Sequence, residues 1–198
     1  MLKVGITGGI GSGKTVVAEI FDLLGAPVYN ADSRAKELMA TNDAVISSIK
    51  AELGKEYYDA QNRLIKVKLA ELVFNDEKAL KKLNGIVHPA VFEDFDKWVL
   101  DHSQSDYVLK EAALIFESGS YKGLDAVIEV YAPEELRIRR VVERDGLTEE
   151  EIRARMKSQM PEDEKKEKSD YVVYNDENQS VIKQVLDLHL SFMRHTAA

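Results

Sequence analysis

Gly8-Gly9-Ile10-Gly11-Ser12-Gly13-Lys14-Thr15 follows an apolar run over residues 2–6 and precedes Val16-Val17-Ala18-Glu19-Ile20-Phe21. The run reads as a buried strand and the following segment as a helix. The pattern G-x-x-x-x-G-K-[ST] therefore stands between a strand and a helix, where a phosphate-binding loop must be. Glycines let the backbone wrap closely around a phosphate chain, because they adopt left-handed φ values without strain. Successive N–H groups and the helix N-terminus then offer partial positive charge to the anion. In such a loop Gly8, Gly11, Ser12, Gly13 and Val16 frame the nucleotide phosphates. Lys14 reaches the β- and γ-phosphates, and the Thr15 hydroxyl is placed for Mg²⁺. A glycine-rich turn without a ligand has no reason to carry Lys and Thr in register after its last glycine.

The remaining chain extends this start into an α/β domain. Short apolar runs at 2–7, 27–29, 106–110, 126–131 and 170–174 read as strands buried on both faces. Helical patterns alternate with them, so the sheet is expected to be five-stranded and mainly parallel, flanked by helices. The stretch 32–103 carries no strand pattern. Its apolar residues (Leu69, Leu72 and Val73, then Leu80, Leu83, Val87, Val91, Phe95 and Trp98) recur at helical spacing. It reads as a helical insertion between the second and third strands, with Pro89 expected to kink a helix or begin a new one. The 198 residues fit one such domain, 1–198, with the insertion inside it.

Bulk properties narrow the function. A net charge of −8 argues against a nucleic-acid-coating surface. There is no cysteine, which excludes disulfides, thiolate metal sites and cysteine nucleophiles together. No apolar stretch is long enough to span a bilayer and no secretory leader is expected, so a cytoplasmic protein is anticipated. A monomer is expected, with an oligomer left open. An acidic protein that binds nucleotides must gather its cations locally, at Lys14 and in the Arg-rich stretch 137–155. Residues 134–168 carry dense charge of both signs, which often marks only the solvated face of paired helices. After a fourth strand they can also form a lid that brings guanidinium groups to a transferring phosphoryl. Arg140 and Arg144 read as lid residues, whereas 162–168 reads as surface.

Other nucleotide-loop classes lack support, since neither the guanine-reading Asn-Lys-x-Asp nor an apolar strand ending in Asp-Glu occurs. Phosphoryl transfer to a small molecule is the better reading. Asp32 follows the strand at 27–30, at the sheet's carboxyl edge where open α/β sheets bind ligands. It can accept or orient the proton of an attacking hydroxyl, or cap the helix that follows, or both. Glu111 ends Val108-Leu109-Lys110-Glu111 and can support Mg²⁺ directly or through water, or serve as a helix cap or loop residue.

Taken together, these residues resemble the dephospho-coenzyme A kinase family. The resemblance rests on the phosphate loop from Thr7, on Asn30-Ala31-Asp32, and on Leu83-Asn84 before His88-Pro89. It continues through Leu114-Ile115-Phe116-Glu117, Arg140, Arg144-Asp145, Gln159 and Asn175, in the family's order along nearly the whole chain. It implies a phosphate-loop kinase fold in which ATP phosphorylates the ribose 3′-hydroxyl of dephospho-coenzyme A, giving coenzyme A and ADP. Asp32 would then be the base, and Lys14, Arg140 and Mg²⁺ would stabilise the transferring phosphoryl, with Arg144 supporting from the lid. Asn175 would lie near the adenine. His88 and Lys66, in the insertion, would help hold the substrate, although His88 reads equally well as a structural histidine. Four departures accompany the match. Asn30 replaces a common Asp, and Glu111-Ala112-Ala113-Leu114-Ile115 replaces Asp-x-Pro-Leu-Leu. Arg137 and Lys66 stand where Gln and Arg are common.

Overall fold

A computed structural model of the chain describes residues 1–196, with side chains as far as Arg194. Its sheet contains β1 (Leu2–Thr7), β2 (Val28–Asn30), β3 (Tyr107–Glu111), β4 (Ala126–Tyr131) and β5 (Tyr171–Tyr174). They lie in the order β2-β3-β1-β4-β5, and every pairing is parallel. The first and fourth strands match the sequence expectation residue for residue. The other three begin one residue later, and β2 and β3 also end one residue later, so that Asn30 and Glu111 lie inside the ladder as paired residues.

Contacts divide the chain into a sheet unit (1–30 and 99–198) and a helical unit (31–98). In the sheet unit, β1 lies centrally, with β3 and β4 on opposite sides. Its carboxyl end is therefore the point where chain connections leave in opposite directions, the usual ligand position in an open parallel sheet. The phosphate loop emerges there and leads into α1 (Lys14–Leu23). The core is built from Val4, Ile6, Leu109, Ile128 and Val130 of the sheet, Val17, Ala18 and Phe21 of α1, and Val185 and Phe192 of α9 (Val181–Thr196). Phe192 stacks on Phe21 and meets Tyr107 edge-on, with ring centroids 6.4 and 5.2 Å apart. Three short helices fill the interval between β4 and β5, namely α6 (Glu134–Asp145), α7 (Glu149–Lys157) and α8 (Glu162–Lys168). Gly146, at φ 67°, ends α6, and a Thr148/Glu151 capping box starts α7.

The helical unit contains α2 (Ala31–Thr41), α3 (Asp43–Glu52), α4 (Lys66–Asn75) and most of α5 (Glu77–Asp101). The Asn42 side chain caps α3 by accepting from the Ala44 and Val45 amides. Arg34 binds both Asp94 oxygens, at 2.8 and 2.6 Å, and so ties α2 to α5.

Of the two expectations for Pro89, the start of a new helix is not met. A single 25-residue helix runs through it. The carbonyl that Pro89 displaces belongs to Gly85, which has no side chain to obstruct its turning aside. Ala79, Leu83, Val87, Val91 and Phe95, spaced by four, form a buried stripe that continues across the proline. That packing outweighs the lost backbone bond.

Candidate active site

The phosphate loop is shaped by close backbone approach. Gly13 caps α1 with φ 91°, and a Cβ there would collide with the Asn175 side-chain amide. Gly11 has φ 80°, and a Cβ on it would come within 2.5 Å of the Arg137 carbonyl oxygen. Neither position admits a side chain. Asn175, just beyond β5, braces the loop by donating to the Ser12 carbonyl at 2.8 Å. Its oxygen accepts from Arg140 Nη2 at 3.4 Å. The Asn175 amide thus links the loop to α6.

Beside this brace Gly11, Gly13, Lys14, Thr15, Val16, Arg140, Val141 and Arg144 line a cavity of roughly 150 Å³. Lys14, Arg140 and Arg144 bring three positive charges to its wall, together with the unpaired amides of the α1 N-terminus. Two buried polar atoms of this region, Ser12 Oγ and Arg140 Nη1, have no hydrogen-bond partner within the protein. Buried polar groups are rarely left in that state without a ligand to satisfy them. Cations and orphaned donors around a small cavity suit a polyanion such as a nucleotide triphosphate.

Thr15, Asn30 and Glu111 meet at the carboxyl ends of β2 and β3. Glu111 is buried, so it is neither helix cap nor loop residue. It accepts from the Thr15 hydroxyl at 2.7 Å and, through its other oxygen, from the Asn30 amide at 2.5 Å. Asn30, one of the sequence departures, is thus a donor to Glu111. An acid at position 30 would set two carboxylates against each other, whereas an amide there donates to the acid.

A family model described as dephospho-CoA kinase matches residues 2–180. The chain belongs to the dephospho-CoA kinase family. It is 38% identical over 187 residues to a dephospho-CoA kinase of Bacteroides fragilis, covering 94% of this chain and 91% of that one. The dephospho-CoA kinase structure from Campylobacter jejuni superposes with a TM-score of 0.72 at 26% identity, covering 98% of both chains. The TT1252 structure from Thermus thermophilus gives 0.84 at 34%, covering 96% of both.

Within this family member, the residues singled out in the sequence fall into two groups. Lys14, Thr15, Glu111, Arg140, Arg144 and Asn175 belong to the sheet unit, with Lys14, Thr15, Arg140 and Arg144 sharing one cavity wall. Asp32, Lys66 and His88 belong to the helical unit. Asp32 lies in the first turn of α2, which begins at Ala31, so it stands inside the helix and is not its cap. Lys66 opens α4 and is exposed. His88 stacks on Phe92 at 6.3 Å within α5.

One segment departs from expectation. Residues 162–168 read as surface, yet in α8 Lys165 is fully buried and the Glu162 side chain is only 13% exposed. The cause is Glu129 on β4, itself fully buried. Lys165 Nζ lies 3.8 Å from Glu162 and 3.9 Å from Glu117, and Arg137 Nη1 lies 3.8 Å from Glu162. Burial, with the nearby Glu162 carboxyl adding to it, pushes the Glu129 carboxyl up to about 8, against the opposing pull of Lys165 and Arg137. A Glu129 that holds its proton adds no charge to this buried cluster.

A group whose folded pKa is raised keeps its proton in the folded chain while the unfolded chain has lost it. Between about pH 4.5 and 8 the folded state therefore binds more protons, and this group's contribution to stability declines as pH rises. Above about 8 the decline ends. Glu129→Gln removes the titration, and we expect it to flatten the loss of Tm between pH 6 and 8.5 measured by thermal melts. An unchanged slope in the variant would contradict this assignment.

Proposed function

We propose that the chain transfers the γ-phosphoryl of ATP to the ribose 3′-hydroxyl of dephospho-coenzyme A, the last step of coenzyme A synthesis. The observation that carries this reading is the cationic cavity at the phosphate loop, with its orphaned Arg140 and Ser12 donors, in a chain of this family. Lys14 and Arg140 hold the phosphates and stabilise charge that develops on the transferring group. Arg144, on the exposed end of α6, completes the clamp when residues 134–168 close as a lid. Asn175 serves the ATP site by bracing the loop. Asp32 accepts the hydroxyl proton, and the helical unit, with Lys66 and His88, receives the coenzyme A precursor.

The oxygen donors at Thr15 and Glu111 fit Mg²⁺, a hard cation that takes one or two protein ligands and completes its shell with phosphates and water. When bound, it neutralises phosphate charge. Glu111 holds the Thr15 hydroxyl in place, and Asn30 holds Glu111. We expect Glu111→Gln to raise the Mg²⁺ concentration for half-maximal rate by roughly tenfold, the scale of disturbed metal-supporting contacts. A Mg²⁺ titration of the initial rate reads this, and an unshifted midpoint would remove Glu111 from the metal side.

Among the described residues no helix is long and apolar enough to cross a membrane. A cytoplasmic enzyme with a small-molecule acceptor and no nucleic-acid partner fits the acidic charge. Coupled ADP release tests the reading directly. Dephospho-coenzyme A should stimulate turnover, and AMP, CMP and nucleosides should not. ATP hydrolysis with no acceptor dependence would replace the kinase by a nucleotide-dependent binding module.

A further inference from the structure

Ile10, in the outer limb of the phosphate loop, is held from three sides. Its N–H donates to Gln159 Oε1 at 3.1 Å, and its carbonyl accepts from Arg137 Nη1 at 3.4 Å. Its side chain packs against Ile138, Val141 and Ile152 of α6 and α7. Arg137 is only 5% exposed, and its Nε donates to the Ala132 carbonyl at 3.1 Å. A Cβ placed on Gly9 would collide with both Arg137 Nη1 and Glu162 Oε1, so both groups end against the Gly9–Ile10 peptide. A flexible apolar side chain could fill this volume. A guanidinium supplies directed donors to two carbonyls and a positive charge beside the Glu162 carboxyl at once.

We propose that Arg137 is a positioning residue for the phosphate loop: seated between the Ile10 carbonyl and the Glu162 carboxyl, it fixes the Gly9–Ile10 limb and couples that limb to α8. Fixing this peptide sets the direction of the amides that follow it, so less ordering remains to be done when the triphosphate arrives. Arg137 itself makes no contact with the reacting atoms. It stands at a position where the sequence departs from the family's common Gln, and its partner Glu162 lies in the helix that reads as surface in the sequence. The proposal rests on the kinase reading, in which this loop holds ATP.

The test is steady-state kinetics on the full chain, with ATP and acceptor varied separately at a temperature well below the melting transition. Arg137→Met should raise KM for ATP by roughly tenfold, the scale of one lost charge-assisted hydrogen bond, and leave KM for dephospho-coenzyme A within about twofold. Glu162→Gln should shift KM for ATP in the same direction. The double variant should lose less than the product of the two single effects, because both act through one contact. Arg137→Gln should recover part of the loss by restoring a donor to the Ile10 carbonyl. Unchanged KM for ATP, equal rises in both KM values, or strictly multiplicative effects would overturn the proposal. If Arg137→Met does not fold, the Glu162→Gln split decides alone. Failure of the kinase reading is separately visible, since the wild-type protein would then show no acceptor-dependent rate.

Discussion

Asp32→Asn is expected to lower kcat by 10²–10⁴-fold, the range for loss of a general base, with KM for ATP little changed. A ribose hydroxyl is a poor nucleophile and must give up or share its proton as the phosphoryl arrives, and a carboxylate is the simplest acceptor. Asp32 follows directly on the β2 edge at Asn30 and stands in the first turn of α2, where partial positive charge favours an anionic side chain. Asparagine matches it in size and removes both the negative charge and the ability to take a proton. The competing role is structural. A carboxylate in a first helical turn contributes about 0.3–1 kcal/mol, which would appear in a thermal melt and leave catalysis almost untouched. Single-turnover kinetics and melts on the same variant separate the two. A rate change within a few-fold, accompanied by a lowered Tm, would reduce Asp32 to a helix-stabilising residue.

Lys14→Met is expected to lower kcat/KM for ATP by about 10²–10³-fold, comparable to removing one preorganised donor from a developing anion. The surrounding charges sharpen this into a second, independent readout. Lys14, Arg140 and Arg144 line one small cavity, and without a bound anion their charges repel. Removing Lys14 should therefore leave the Tm of the ligand-free protein unchanged or raised. The stabilisation that ATP confers by mass action should largely disappear. Thermal melts with and without ATP measure both effects. A Lys14→Met protein that keeps the full ATP-induced shift would place the triphosphate elsewhere.

The parts legible in the sequence were those encoded over short distances. The phosphate loop needs only eight consecutive residues and its flanks, and β1 and β4 are continuous apolar runs, so these matched their predicted bounds. Pro89 left two readings open because its local cost is visible in sequence, while the stripe from Ala79 to Phe95 that carries one helix through it is defined by burial. Glu111 left two readings open because an acid at a strand end looks alike whether it faces solvent, a helix or a hydroxyl. Only the fold brings it to Thr15 and Asn30, 96 and 81 residues away. The segment Glu162–Lys168 looked like surface because all seven of its residues are charged, as in a solvated helix. The signal that could have corrected this was Glu129, a lone acid inside the apolar strand Ala126–Tyr131. A buried acid requires charges that offset it, supplied here by Arg137 in α6 and by Lys165 in α8.

The most direct measurement of the central claim is the identity of the product formed from ATP, Mg²⁺ and dephospho-coenzyme A. Mass spectrometry with phosphorus NMR should find ADP and coenzyme A in equal amounts, with the new phosphate on the ribose 3′-oxygen. ADP formed at the same rate without dephospho-coenzyme A, or a phosphate carried on a different acceptor, would contradict the account.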